Sequence, residues 1–369
     1  FVVTSVPPPP SIRVSLSPAT TEVEVGKAVQ LTAAVTGTTN TAVNWSVSGI
    51  AGGNSIVGTI TDTGEYTAPL NVPSSNSLTV TATSTADSTA SDTATVTVAG
   101  CSLAAPGPAS QQTQARLGAY YFDGWSGPLT NFHFNGLVNG PYQDRQPLTG
   151  WRDNSPCAVE QQFAWAHRFG IDYFIFLWYH NPLLHEDDDL NNALQVTRGL
   201  ADRHGVQFAI MYTNHDPFAV RPGDWPAAIN AWVGYMVDPD YVRVNGKPMV
   251  VVYDTEAMRQ AFGSSAAVAD AFNQLRAAAQ SQGLAGVYIV GGISAGYDPI
   301  HQYGSFPDLS IVQADGYDAV SMYNWSFGDV RGEQPFSILA EAGQWIWGQA
   351  ALNSALPFLP TAIAGWDVR

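Results

Sequence analysis

The stretch Gly205–Asp216, GVQFAIMYTNHD, starts as an apolar, β-prone run and ends in Asn214, His215 and Asp216. Side chains of these types bind, donate and titrate, so a core strand that finishes in all three points to a site at its end. Six further apolar runs lie at 117–125, 173–180, 249–254, 286–293, 319–325 and 359–367, and all but that at 286–293 do something similar. Their last residues include Tyr121, Asp123 and Trp125, then Trp178, Tyr179 and His180. Tyr253 and Asp254 end the next, Tyr323, Asn324 and Trp325 another, and Trp366 and Asp367 the last. The run at 286–293, GVYIVGGI, ends in small residues that leave room for a ligand. Rings beside Asp, Asn and His suit carbohydrate: a sugar's C–H face packs on an aromatic ring, and its hydroxyls pair with amides and carboxylates. The aromatic, Asn and His residues of this set, with Asp123, are therefore expected to bind substrate. Asp216, Asp254 and Asp367, and with them Asp123, are the candidates for acid–base work, with hydroxyl binding as their first role.

Other chemistries fit less well. His180, His215 and Asp216 can ligate a metal, but their spacing carries no diagnostic signature, and no metal or cofactor is expected. A serine nucleophile lacks its Gly-x-Ser-x-Gly elbow. Trp165, Trp232, Trp345 and Trp347 fall in helical patterns and read as packing. Asp187 to Asp189, in HEDDDLNN, read as the start of a helix.

The elements that position these residues follow from the periodicity. Near-continuous apolar strands separated by helices predict a parallel sheet buried on both faces. One helix opens at Ser155-Pro156 and stops at Gly170. Another carries Val268, Phe272, Leu275 and Ala279 on one stripe and ends at Gly283. Seven such repeats over roughly 250 residues predict an α/β (β/α)8 TIM-type barrel lacking its last βα unit, with the strand ends forming the site. An open doubly wound sheet is the alternative, weakened by the lack of a glycine-rich loop after the first strand. Residues 11–99 have another grammar: short alternating Thr/Ser/Val runs broken by Gly, Pro, Asn and Asp, which predict an all-β immunoglobulin-like sandwich with Trp45 and Tyr66 inside. Residues 1–10 are a Pro-rich segment, 100–116 a linker and 117–369 the barrel domain.

Composition narrows the partners. The 369 residues carry a formal charge of −16, which disfavours nucleic acid. Only 12% of residues are charged, so the surface is rich in Ser, Thr, Asn and Gly, as suits secreted proteins and neutral ligands. No run is long enough to predict a membrane span. The start, Phe1 followed by VPPPPS, reads like the processed start of an exported protein. Cys101 and Cys157 are either a free pair or, in an oxidising compartment, a disulfide. A secreted or cell-surface location is expected.

The ordered set AYYFDGWSG, GWRDNSP, FGIDYFIFLWYH, NHD, YVRVNGKPMVVVYD, GYDAVSMYNW and GWDVR resembles glycoside hydrolase family 99-like proteins, from about Leu117 onward. Relatives of that family also occur attached to polysaccharide-synthesis enzymes described as glycosyltransferases. The N-terminal region resembles bacterial immunoglobulin-like domains of surface proteins. The resemblance implies a (β/α)8 barrel acting on glycans. True family 99 members cleave α-mannosides within a chain, with help from the sugar's own 2-hydroxyl. That family keeps its acids in an N-E-W-x-E type segment, which this sequence lacks. Only Glu160, Glu186, Glu256, Glu333 and Glu341 occur beyond residue 101. Either a longer protein supplies the missing acids, or the barrel is open and its chemistry lost. The leading expectation is a glycoside hydrolase acting on an oligo- or polysaccharide. The alternatives are a non-catalytic carbohydrate-binding or structural protein, with self-association through the immunoglobulin-like part, and a glycosyltransferase of polysaccharide synthesis.

Overall fold

The computed structural model describes residues 11–69, 72–102, 115–124, 149, 155–180, 190–200, 202–300, 302–324 and 335–363. The chain divides into two compact units: Phe1–Pro106 with Trp125–Trp165 and Ala193–Arg203, and Gly107–Gly124 with Ala166–Asn192 and His204–Arg369.

The first unit is mostly β. Its longest strands, β10 (Ser77–Ser84) and β11 (Ser91–Ala99), pair antiparallel and bury every second side chain. This is the period-two rule at work. Leu31, Val47, Tyr66, Val80, Val96 and Val98 form the core, and Trp45 lies beside them, its indole N–H donating to the Asp62 carbonyl at 3.3 Å. The expected immunoglobulin-like sandwich is corrected here: the strands form three sheets. β1 (Arg13–Ser17) pairs β4 (Thr32–Thr36) alone. β2 (Thr20–Glu24), β5 (Val43–Val47) and β6 (Ile50–Ala51) join β10 and β11 in the order β2-β11-β10-β5-β6. β3 (Ala28–Gln30), β7 (Gly53–Asn54), β8 (Gly58–Ile60) and β9 (Glu65–Thr67) form the third, in the order β3-β9-β8-β7. The physical reason is strand length and Pro18. A proline cannot donate to a ladder, so the chain leaves β1 and enters β2 against another partner, β11, in parallel. Strands of two to five residues then share their pairings among small sheets.

The second unit is a parallel sheet. Its strands are β12 (Gly118–Tyr121), β13 (Tyr173–Trp178), β14 (Gln207–Tyr212), β16 (Lys247–Val252), β17 (Tyr288–Gly292), β20 (Ala319–Ser321) and β21 (Phe358–Leu359), hydrogen-bonded in that order. β15 (Arg243–Val244) pairs β16 antiparallel at its start. Phe208 to Tyr212 and Met249 to Val252 are buried throughout, as strands covered on both faces must be. Among the described residues the helices of the whole chain are α1 (Pro156–Phe169) and α2 (Asn192–Gly199), most of whose residues fall in the first unit, then α3 (Trp225–Met236), α4 (Thr255–Phe262), α5 (Ser265–Ser281), α6 (Leu309–Ala314) and α7 (Phe336–Asn353) in the second. Ser264 caps α5 by accepting from the Ala267 N–H, and α5 buries Val268, Ala271, Phe272, Leu275 and Ala279. Among the described residues, no helix is long and apolar enough to cross a membrane.

The expected (β/α)8 barrel does not form. The sheet is a curled, all-parallel half-barrel of seven strands with β12 and β21 at its edges. Closing such a sheet takes eight strands with a fixed stagger. Here β12 has four residues and β21 two, too few for a ladder between them, and none joins them among the described residues. Side chains bridge part of the gap instead. The Tyr120 hydroxyl donates to the Met322 carbonyl just beyond β20 at 3.3 Å, although four strands of the sheet order separate β12 from β20.

Candidate functional site at the strand ends

Strand parity decides which side chains enter the concave face. Alternate residues of a strand point to opposite faces. Tyr120 points inward and meets Tyr323 with ring centres 5.0 Å apart. Tyr121 points outward, stacking on Phe176 at 4.5 Å. The register of β13 and β14 places Trp178 and Tyr212 as partners on the outward face. Trp178 is buried there against Tyr212 and against Trp232 of α3, at 6.0 and 5.3 Å. His180 stacks on Trp178 at 6.1 Å, and its Nε2 lies 4.0 Å from the carboxylate of Asp224, the residue before α3. The segment LWYH therefore splits: Trp178 and His180 serve the sheet–helix layer, and Tyr179 serves the mouth.

Around the mouth the rings are nearly continuous. Tyr179, after β13, meets His215, after β14, at 6.3 Å. His215 meets Tyr253, after β16, at 5.8 Å, and Tyr253 meets Tyr323, after β20, at 5.7 Å. Tyr323 meets Tyr120 of β12, and Phe122, two residues on, returns to Tyr179 at 6.4 Å. Five strands thus contribute to one circle of rings, closed by side chains where the backbone is open. Phe218 packs on both Tyr179 and His215, at 4.9 and 5.4 Å. His215 is exposed, Tyr253 and Tyr323 are half-buried and Tyr179 is buried, so the circle grades from solvent to interior.

Two asparagines hold this circle by its backbone. Asn191 accepts from the Tyr179 N–H at 3.0 Å and donates to the Tyr179 carbonyl at 2.9 Å. Asn214 does the same for Asp254, accepting from its N–H at 2.9 Å and donating to its carbonyl at 2.7 Å. The Asp254 carboxylate caps α4, accepting from the Glu256 and Ala257 N–H groups through one oxygen, Oδ1. Asp123 is buried at 1% exposure within electrostatic reach of the Tyr179 phenol. Asp216 is exposed, its carbonyl 3.0 Å from Nδ1 of His215, and Asn324 is exposed. Trp125, Trp325, Trp366 and Asp367 lie outside the described residues.

The phenols of the mouth stay protonated well into alkali. Burial, then the neighbouring Tyr323, Tyr253 and Asp123, push Tyr179 far above the ordinary phenol value, against a smaller opposing effect of Thr213. Burial raises Tyr253, with Asp254 adding to it, and raises Tyr323, with Tyr253 adding. Tyr120 is pushed up to about 12 by burial, partly offset by Ser321 and Thr361. Neutral phenols both donate and accept, which is what sugar hydroxyls require. Among the described residues no three His, Cys, Asp or Glu side chains come together as a metal site.

Tyr120, Asn191 and Phe218 were not among the expected site residues. Tyr120 differs from Tyr121 only in parity. Phe218 lies beyond the strand after a turn. Asn191 follows the acidic run 186–189, and nothing in its local pattern marks it. Cys101 and Cys157 form a disulfide, with α-carbons 5.1 Å apart, joining the chain after β11 to the first turn of α1.

The fold and site together define an open parallel α/β protein with an aromatic mouth at its strand ends. The chain matches no known protein-family model, and no curated protein matches it either.

Proposed function

We propose that the chain is a secreted or surface glycan-active protein that seats a saccharide in this mouth and hydrolyses a glycosidic bond there. The observation carrying this reading is the circle Tyr179–His215–Tyr253–Tyr323–Tyr120, drawn from five strand ends, with the buried Asp123 following Phe122 just beyond β12. The resemblance to family 99-like glycoside hydrolases supports it, and the disulfide supports an oxidising compartment. Hydrolysis needs one carboxyl to protonate the leaving oxygen as the C–O bond breaks and another to attack the sugar or activate water. We assign the proton transfer to Asp123, buried one residue past Phe122 and within electrostatic reach of Tyr179. Asp254, whose cap bonds fall on one oxygen, takes the second role.

A non-catalytic glycan binder is the second reading, favoured by the cap duty of Asp254 and the exposure of Asp216. The test is a polysaccharide panel read for binding by affinity electrophoresis and for cleavage by reducing-end release. Tyr253→Ala and Tyr323→Ala are expected to lower binding about tenfold or more, and Asp123→Asn to abolish release while binding persists. If both tyrosine variants bind like the parent, the mouth is not a saccharide site. Binding without release by the parent establishes the binder.

A further inference from the structure

A cavity of about 240 Å³ opens beyond β17, within the same unit as the mouth. It is lined by Ser294, Tyr297, Asp298, Tyr303 and Ser305, with Ala295 and Gly296 completing the wall. Its frame is the hairpin of β18 (Gly296–Asp298) and β19 (Tyr303–Ser305). Tyr297 stacks on Trp345 of α7 with ring centres 4.7 Å apart and planes 8° from parallel. Gly304 permits that stack, because a β-carbon there would lie 2.5 Å from the Trp345 ring. Asp298 is buried and folds the turn by accepting from the Ile300 N–H at 2.9 Å. Tyr303 is 68% exposed, a large ring left in solvent at the cavity edge. One backbone bond ties this loop to the mouth: the Ile293 N–H donates to the Ser321 carbonyl at 2.9 Å, two residues before Tyr323.

We propose that this cavity is a separate subsite for one further sugar unit of the same glycan, so that the protein favours extended saccharides over short ones. The proposal rests on the glycan reading of the mouth and names its substrate class. The cavity is smaller than the ~300–1,000 Å³ typical of drug-sized ligands, which suits a single ring. Its lining has no Lys or Arg, so it does not select an anion. Two tyrosines, two serines and one carboxylate offer a ring face and hydroxyl partners, the needs of a neutral polyol.

The test uses cello-, manno- and malto-oligosaccharides from disaccharide to hexasaccharide, with affinities from calorimetry. In the parent, affinity is expected to rise with length. Tyr303→Ala, and Ser294→Trp to fill the cavity, are both exposed changes; each is expected to weaken the longest ligand about fivefold and leave the disaccharide unchanged. Tyr253→Ala is expected to weaken every length. If both cavity variants follow the parent along the ladder while Tyr253→Ala does not, the subsite is overturned and the mouth stands. Equal weakening at all lengths by the cavity variants also overturns it. A parent that binds no ladder overturns both readings.

Discussion

Gly292 lies against the backbone of Tyr253 so closely that a β-carbon on it would stand 2.0 Å from the Tyr253 carbonyl oxygen and 2.6 Å from that of Val252. Gly292 of GVYIVGGI thus holds no space for a ligand; the neighbouring strand fills it. Gly291 is hemmed in on the other face by Thr255 and Tyr317, at 2.8 and 3.0 Å. This close approach lets Tyr253 and Tyr323 meet over the end of β17, the strand between theirs.

Gly292→Ala is therefore expected to displace β16 from β17. Overpacking of this kind costs about 1–3 kcal/mol, and more where only backbone can yield. Thermal melts should show the loss, and saccharide binding should fall with it because Tyr253 moves. Gly348→Ala is the opposite case. It lies in α7 with nothing within 4 Å of its would-be β-carbon, and alanine there should stabilise by about 0.5–1 kcal/mol. Equal melting temperatures for the two variants would show that the Gly292 contact does not constrain the sheet.

Asn214 is 2% exposed and makes both of its bonds to Asp254 backbone. Asn214→Ala leaves a donor and an acceptor without partners, at a cost of about 1–3 kcal/mol. Asn214→Asp keeps the acceptor for the Asp254 N–H but sets a carboxylate against the Asp254 carbonyl. It should be no more stable than the alanine variant. Urea midpoints separate these outcomes, and an aspartate variant as stable as the parent would refute the two-bond arrangement.

Much of the strand set was legible because apolar runs of this length have few other uses. The Ser155-Pro156 start of α1 and the stripe Val268, Phe272, Leu275 and Ala279 were legible for the same local reason. Parity was not. Tyr120 and Tyr121 are chemically alike, and only the register against Tyr173–Phe176 says which faces inward. Closure was not legible either, since it depends on the lengths of β12 and β21. The place of Asp254 at a strand end was legible, but not that the same place also makes it the cap of α4. Asn191 acts at a distance of twelve residues through tertiary contact alone.

The Cys101–Cys157 bridge closes a loop with a sequence separation of 56. Chain entropy alone makes such a closure worth ~4 kcal/mol. A Cys101→Ser, Cys157→Ser double variant should unfold at lower urea than the oxidised parent, and reductant should bring the parent to the same midpoint. Two reactive thiols in the native, unreduced protein would contradict the bridge.

Alkaline stability follows from the tyrosines of the mouth. Tyr120, Tyr179, Tyr253 and Tyr323 all have folded values raised above 10, that of Tyr120 to about 12. Above pH 10 the unfolded chain sheds phenolic protons that the folded chain retains, so stability falls as pH rises. The contribution is complete below pH 10 and is lost as pH climbs through the folded values, which for Tyr120 means about 12. Tyr66, raised by burial to about 12, and the buried Tyr212 and Tyr241 act in the same direction, so the mouth must be isolated by substitution. Tyr253→Phe combined with Tyr323→Phe should flatten the fall in stability between pH 10 and 12. In the parent, tyrosinate absorbance for the mouth residues should appear only as circular dichroism reports unfolding. If those phenols ionise near pH 10 with the fold intact, the circle of rings is open to water, and the saccharide would meet tyrosinates in place of neutral hydroxyls.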